Sequence, residues 1–164
     1  MLKSEISTRN KEENKEYPSE RRENSKLRFK VRFDYKGKPR PARFFFGGKK
    51  TEIVAQDFRE QQVALWRNVP LQGIMVENMD LGEIYNVYDE EIDEDIAFAP
   101  LELIVSADSL EDLLRFIVRD EFRRIEILEP ASILLTNREV ERLLFKMNEH
   151  LQNKLIYRIR EINR

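Results

Sequence analysis

Hydrophobic and polar residues alternate between Leu27 and Tyr35. Leu27, Phe29, Val31, Phe33 and Tyr35 are separated by Arg28, Lys30, Arg32 and Asp34. A period of two puts one set on each face of an extended chain, so the segment predicts a half-buried strand. Lys36-Gly37-Lys38 reads as a turn, and Pro39 and Pro41 delay the return because proline cannot donate to a ladder. Ala42 to Phe46 then predicts a second strand, ended by Gly47-Gly48. From Thr51 to Trp66 the apolar positions Val54, Phe58, Leu65 and Trp66 follow a helical period. Thr51 is the expected N-cap, and Glu52 suits the positive end of the helix dipole. Gly73 to Glu77 and Glu83 to Val87 predict two short strands joined by a hairpin loop at 78–82.

The second half reads βαβα. Leu101 to Val105 predicts a strand. Leu110, Leu113, Leu114, Ile117 and Val118 recur at i, i+3, i+4, i+7 and i+8, the spacing of an amphipathic helix. Arg124 to Leu128 predicts a strand ending before Pro130. Thr136 and Glu139 form the pattern of a capping box. Beyond it Val140, Leu143, Leu144, Met147, Leu151, Leu155, Ile159 and Ile162 mark one helix of about 39 Å at 1.5 Å per residue. The fold class is therefore α+β. A ββα-ββ half precedes a βαβα half, with helices packed on a mixed, mainly antiparallel sheet and a long C-terminal helix. Because a helix connects Leu101–Val105 to Arg124–Leu128, those strands are expected to be parallel neighbours or nearly so.

Four segments follow from these patterns. Residues 1–25 hold few apolar side chains and predict a disordered charged tail. Residues 26–88 form the first subdomain, 89–97 an acidic linker, and 98–164 the second subdomain with its long helix. The tail has no apolar core of a secretory signal, and its six Glu argue against a mitochondrial presequence. No apolar run approaches the roughly 20 residues of a membrane span. The expected location is cytoplasmic.

Composition sharpens this picture. The 164 residues include no cysteine, which excludes a disulfide scaffold and any thiol chemistry. The net charge of −2 conceals two opposed blocks. Residues 1–50 carry sixteen Lys and Arg against seven Asp and Glu, a balance of +9. Residues 51–100 carry two against twelve, a balance of −10, and the remainder is −1. Segregation on this scale concerns partners and self-association.

The basic block supplies the candidate nucleic-acid-binding residues: Arg28, Lys30, Arg32, Lys36, Lys38, Arg40, Arg43, Lys49 and Lys50. Phosphates need cations, and the interleaved Phe29, Phe33, Tyr35 and Phe44 to Phe46 could stack on bases. The competing reading buries the aromatics and leaves a solvated basic face. Gly47-Gly48-Lys49-Lys50-Thr51 falls short of a Walker A loop, since Arg43 stands at the first glycine position and Lys50 follows Lys49. The acidic run Asp89, Glu90, Glu91, Asp93, Glu94, Asp95 lacks the central glycine of a calcium loop. It offers instead a surface to face the basic block. His150 is the single histidine, so neither a nucleophilic triad nor a multi-histidine metal site is expected. No catalytic residue, metal ligand or cofactor is expected.

The terminal helix carries an apolar stripe longer than a domain of this size requires. Leu151, Leu155, Ile159 and Ile162 are the expected dimer interface. The reading favoured is a small non-enzymatic cytoplasmic adaptor or regulatory protein. It acts through a protein partner, as a homodimer, and away from membranes. The alternative is a nucleic-acid-binding accessory protein using the basic hairpin.

Overall fold

The computed structural model describes residues 26–37 and 50–162. The tail, the expected strand Ala42 to Phe46, and Gly47-Gly48 lie outside the described residues. Eight elements follow in order: β1 (Leu27–Lys36), α1 (Thr51–Asn68), β2 (Ile74–Leu81), β3 (Tyr85–Asp89), β4 (Glu94–Ala107), α2 (Leu110–Ile117), β5 (Phe122–Glu129) and α3 (Asn137–Ile162). The class is α+β, with one five-stranded antiparallel sheet and a long C-terminal helix.

The sheet runs β2-β4-β1-β5, and β3 also pairs with β4. β4 is its template. Along one edge it pairs with β1, from Leu27 opposite Ala107 to Lys36 opposite Phe98. Along the other edge β2 meets residues 101–107 and β3 meets residues 94–98, both antiparallel. The expected hairpin between β2 and β3 is therefore corrected. Residues 78–81 continue β2, and β2 and β3 lie end to end on β4 rather than against each other. Their break falls beside Pro100, which has no N–H to give a ladder. Arg59 from α1 bridges the gap, donating from Nη1 to the carbonyls of Gly82 at 2.6 Å and Pro100 at 3.1 Å.

The residues expected as an acidic linker, 89–97, are the end of β3, a turn and the start of β4. Asp93 takes a left-handed φ of 54° there, and the Tyr88 hydroxyl donates to its carboxylate. Local charge had masked a hairpin whose partner strand is set by the longer β4. Residues 101–105 and 124–128, expected as parallel neighbours or nearly so, are parallel but not adjacent. β4 and β5 each pair antiparallel to β1, so they run parallel with β1 between them. Pairing along both edges satisfies the backbone N–H and C=O groups of β1.

α1 and α2 cover one face of the sheet. Phe29, Val31, Phe33 and Tyr35 of β1, with Leu101, Leu103 and Val105 of β4, are fully buried beneath Val63, Trp66, Leu113 and Phe116. Phe116 is the hub: its ring centroid lies 6.0 Å from Phe29, 5.8 Å from Phe33 and 5.0 Å from Trp66. Small residues let α1 approach where it crosses the other end of β4, at Ala55, Ala97 and Ala99. Gly37 is needed at the same place, because a Cβ there would stand 2.0 Å from the Thr51 carbonyl oxygen.

The caps decide where the helices begin. Thr51 is not the N-cap of α1. Lys50 holds that position with no side-chain cap, and the Thr51 hydroxyl donates instead to the Asp95 carbonyl at 3.4 Å, tying α1 to β4. Ser109 caps α2 by accepting from the Asp112 N–H at 3.1 Å. The capping box of α3 forms: the Thr136 N–H donates to Glu139 at 2.7 Å, and the Glu139 N–H to the Thr136 hydroxyl at 3.3 Å. α3 stands outside the helical layer and packs chiefly against α2.

Phe33→Ala is expected to remove about 3–5 kcal/mol of stability, because the buried ring contacts Phe116 and Phe122. Urea unfolding checks this; a loss below about 1 kcal/mol would show that the site collapses without a cavity.

Candidate functional site

The polar face of β1 points away from α1 and α2, and its cations meet carboxylates from every neighbouring strand. Arg28 Nε lies 2.8 Å from Glu77 of β2, and its Nη1 lies 3.7 Å from Glu129 of β5. Glu77 sits at a bulge between Val76 and Asn78 and faces this side, where the Ser106 hydroxyl also donates to it. Lys30 reaches Glu102 of β4 at 2.6 Å, and Arg124 of β5 reaches the same carboxylate at 2.9 Å. Lys36 lies 3.6 Å from Asp89 of β3. Glu77 and Asp89 come from the acidic middle block, and Glu102 and Glu129 from the strands after it, so part of the acidic block faces the basic one within one sheet.

Asp34 is the deepest member of this network, only 3% exposed. Its carboxylate accepts from Arg32 Nε at 2.8 Å and from the Tyr85 hydroxyl at 2.7 Å, and Arg123 Nε lies 3.4 Å away. Tyr85 stacks on Phe98 at 5.5 Å. Arg32 and Arg123 lie over these two rings at 5.9 and 5.6 Å. One carboxylate thus joins β1, β3 and β5. Sequence reasoning missed it; the available signal was that Asp34 is the lone acid between Lys26 and Lys50.

Electrostatic shifts follow from the same contacts. The Lys30 ammonium, with Arg124 beside it, holds the Glu102 carboxyl below its usual range. The Ser106 hydroxyl and then Arg28 do the same for Glu77. Burial, then the hydrogen bond to Asp34, pushes the Tyr85 hydroxyl up. Burial, with a smaller push from the Glu121 charge, sends Tyr35, in the core, up to about 12.

Of the candidate nucleic-acid residues, the structure brings Arg28, Lys30, Arg32 and Lys36 together on this face, each with an acidic partner. Lys50 is exposed at the start of α1. Lys38, Arg40, Arg43 and Lys49 lie outside the described residues, and so does the glycine pair of the loop compared with a Walker A motif. His150 is half-buried on the α2 side of α3, beside Glu149 and Asn153. Among the described residues no three His, Asp or Glu side chains converge as metal ligands would.

The expected dimer residues sit differently. Leu151, Leu155 and Ile159 are 59%, 56% and 57% exposed along α3. Ile162 belongs to the helix, but its side chain lies outside the described set. Val140, Leu144 and Met147 extend the exposed stripe toward the N-terminus of α3, and Ile133, Leu134 and Leu135 add apolar surface in the preceding loop. Between that loop and α2 lies a groove of about 470 Å³, lined by apolar Leu27, Leu110, Ile133 and Leu143 and by Glu111 and Arg142. No described helix is long and apolar enough to cross a membrane. The chain matches no family model, no curated protein and no solved structure with which it was compared.

Two outcomes follow from the charge network. Asp34→Ala leaves Arg32, Arg123 and Tyr85 without their common acceptor and is expected to cost about 2–3 kcal/mol in urea unfolding. A change under about 0.5 kcal/mol would mean water replaces the carboxylate. The second concerns pH. Glu77 and Glu102 have lowered folded pKa values, so their stabilisation is complete above the ordinary Glu value of about 4.3 and is lost as pH falls through the folded values. Glu102→Gln should therefore unfold at lower urea than the natural chain at pH 7, with the gap narrowing toward pH 3. Parallel pH curves for the two would contradict the assignment.

Proposed function

We propose that this protein is a non-enzymatic adaptor or regulator of the cytoplasm that works through protein contacts made by α3. One observation carries the reading: the apolar stripe of α3 faces solvent while a polar flank of the same helix faces its own domain. Arg142 pairs with Glu111 of α2, and Lys154 with Asp120 at 2.5 Å. Leu144, Leu151 and Leu155 have no comparable cover, at 59%, 59% and 56% exposure. A surface helix in a finished monomer turns its apolar stripe inward. Here the folding of the domain leaves that stripe for something else, and contiguous apolar surface of this kind marks protein interaction sites.

The pairing of the β1 cations supports the protein reading over the nucleic-acid one. Cations neutralised by carboxylates of their own sheet release few counterions on meeting phosphate, and counterion release is the main source of non-specific nucleic-acid affinity.

Leu151→Glu/Leu155→Glu tests this. Both positions are exposed, so urea stability should stay within about 0.5 kcal/mol of the natural chain. Protein retained from host extract by the immobilised natural chain should survive high salt and nuclease, and the double variant should lose it. Retention that dissolves in salt and disappears with nuclease would favour the nucleic-acid function instead.

A further inference from the structure

The exposed stripe has a symmetry that bears on what covers it. Seven apolar positions run from Val140 to Ile162: residues 140, 144, 147, 151, 155, 159 and 162. Their mean spacing of about 3.7 is close to the 3.6 of a straight helix, so the stripe keeps to one side for its whole length. Reflection about Leu151 exchanges Met147 with Leu155, apolar for apolar, and sets Leu144 opposite Arg158. Two copies related by a two-fold axis meet through the same face of each, so the apolar centre of the stripe, Met147, Leu151 and Leu155, would pack on itself.

Charge selects the direction. Arg158 lies seven residues after Leu151, within the stripe. Two copies packed in parallel would set Arg158 against Arg158 in the seam. Packed antiparallel about Leu151, Arg158 comes opposite Leu144 of the other copy, one turn from its Glu141. Among the described residues neither Glu141 nor Arg158 has an ion-pair partner, unlike Arg142, Lys146 and Lys154. The stripe residues from Val140 to Ile159 are 38–59% exposed. Two such stripes together cover on the order of 1,000 Å², the area a specific interface has to clear.

We infer that the stripe is covered by a second copy of this chain, with the two α3 helices antiparallel about Leu151 and Arg158 of each paired with Glu141 of the other. This rests on the reading of α3 as a protein-contact helix and names its partner.

The absence of native cysteine makes the test direct, because a single introduced thiol is the only one present. Sedimentation of the full chain should give twice the mass of one chain, and Leu151→Glu/Leu155→Glu should raise the dissociation constant at least about a hundredfold. Under mild oxidation, Leu151→Cys should form a disulfide-linked dimer. Val140→Cys alone should not, since antiparallel copies hold those positions about 33 Å apart and a disulfide needs Cα atoms within about 7 Å. Cross-linking of both variants would establish a parallel pair and overturn the antiparallel arrangement. A monomeric mass with no cross-link, while the double variant still loses a protein captured from extract, would overturn self-association and leave α3 as a contact helix for a different protein. A monomeric mass with capture unaffected by the double variant would overturn both.

Discussion

β1 lies in the interior of the sheet while presenting Arg28, Lys30 and Arg32 on a single face, and that is tolerable only because its neighbours bring carboxylates. Alternate residues of a strand stand roughly 7 Å apart, so three cations in a row repel along the strand. Glu77, Glu102 and Glu129 approach from β2, β4 and β5, and Asp34 from β1 itself. The rest of the architecture follows from this matching. β1 can pair on both edges, its opposite face can carry Phe29, Val31 and Phe33 into the core, and α1 and α2 can cover that core from one side. Exposed ion pairs contribute little singly. A network that crosses four strands serves more to set which strands pair and in what register.

The same matching changes what the charge pattern means. Opposed blocks of +9 and −10 invite the idea of separate partners, one anionic and one cationic. In the folded chain part of each block is the other's partner. Lys36 lies near Asp89, and Arg28 near Glu77. The longest run of exposed apolar side chains lies on α3 and the loop that leads into it. That shifts the functional emphasis from the basic strand to the terminal helix.

Periodicity made several elements legible. β1, α2, β5 and α3 fall where alternation or helical spacing put them, and the capping box at Thr136 and Glu139 forms as its residues imply. These are local properties, set by side-chain direction and by short-range hydrogen bonds. The misplaced features depended on strand pairing, which residue composition along one segment does not report. The stretch 78–82 looked like a turn because Asn, Asp and Gly cluster there, yet β4 holds most of it as strand. The acidic run 89–95 looked like a linker because charge favours solvent, yet it folds back as the tip of the β3–β4 hairpin.

By itself, then, the sequence determined the α+β class, the apolar face of β1, the start of α3 and the presence of an apolar stripe beyond it. Each follows from spacing along one segment. Only the tertiary structure decided that β1 separates β4 from β5, that Asp34 binds three strands together, and that α3 turns a polar flank toward α2. Those outcomes depend on which surfaces compete for burial. Periodicity states that a helix has an apolar side, but the direction that side faces is settled by what the remainder of the chain has already covered.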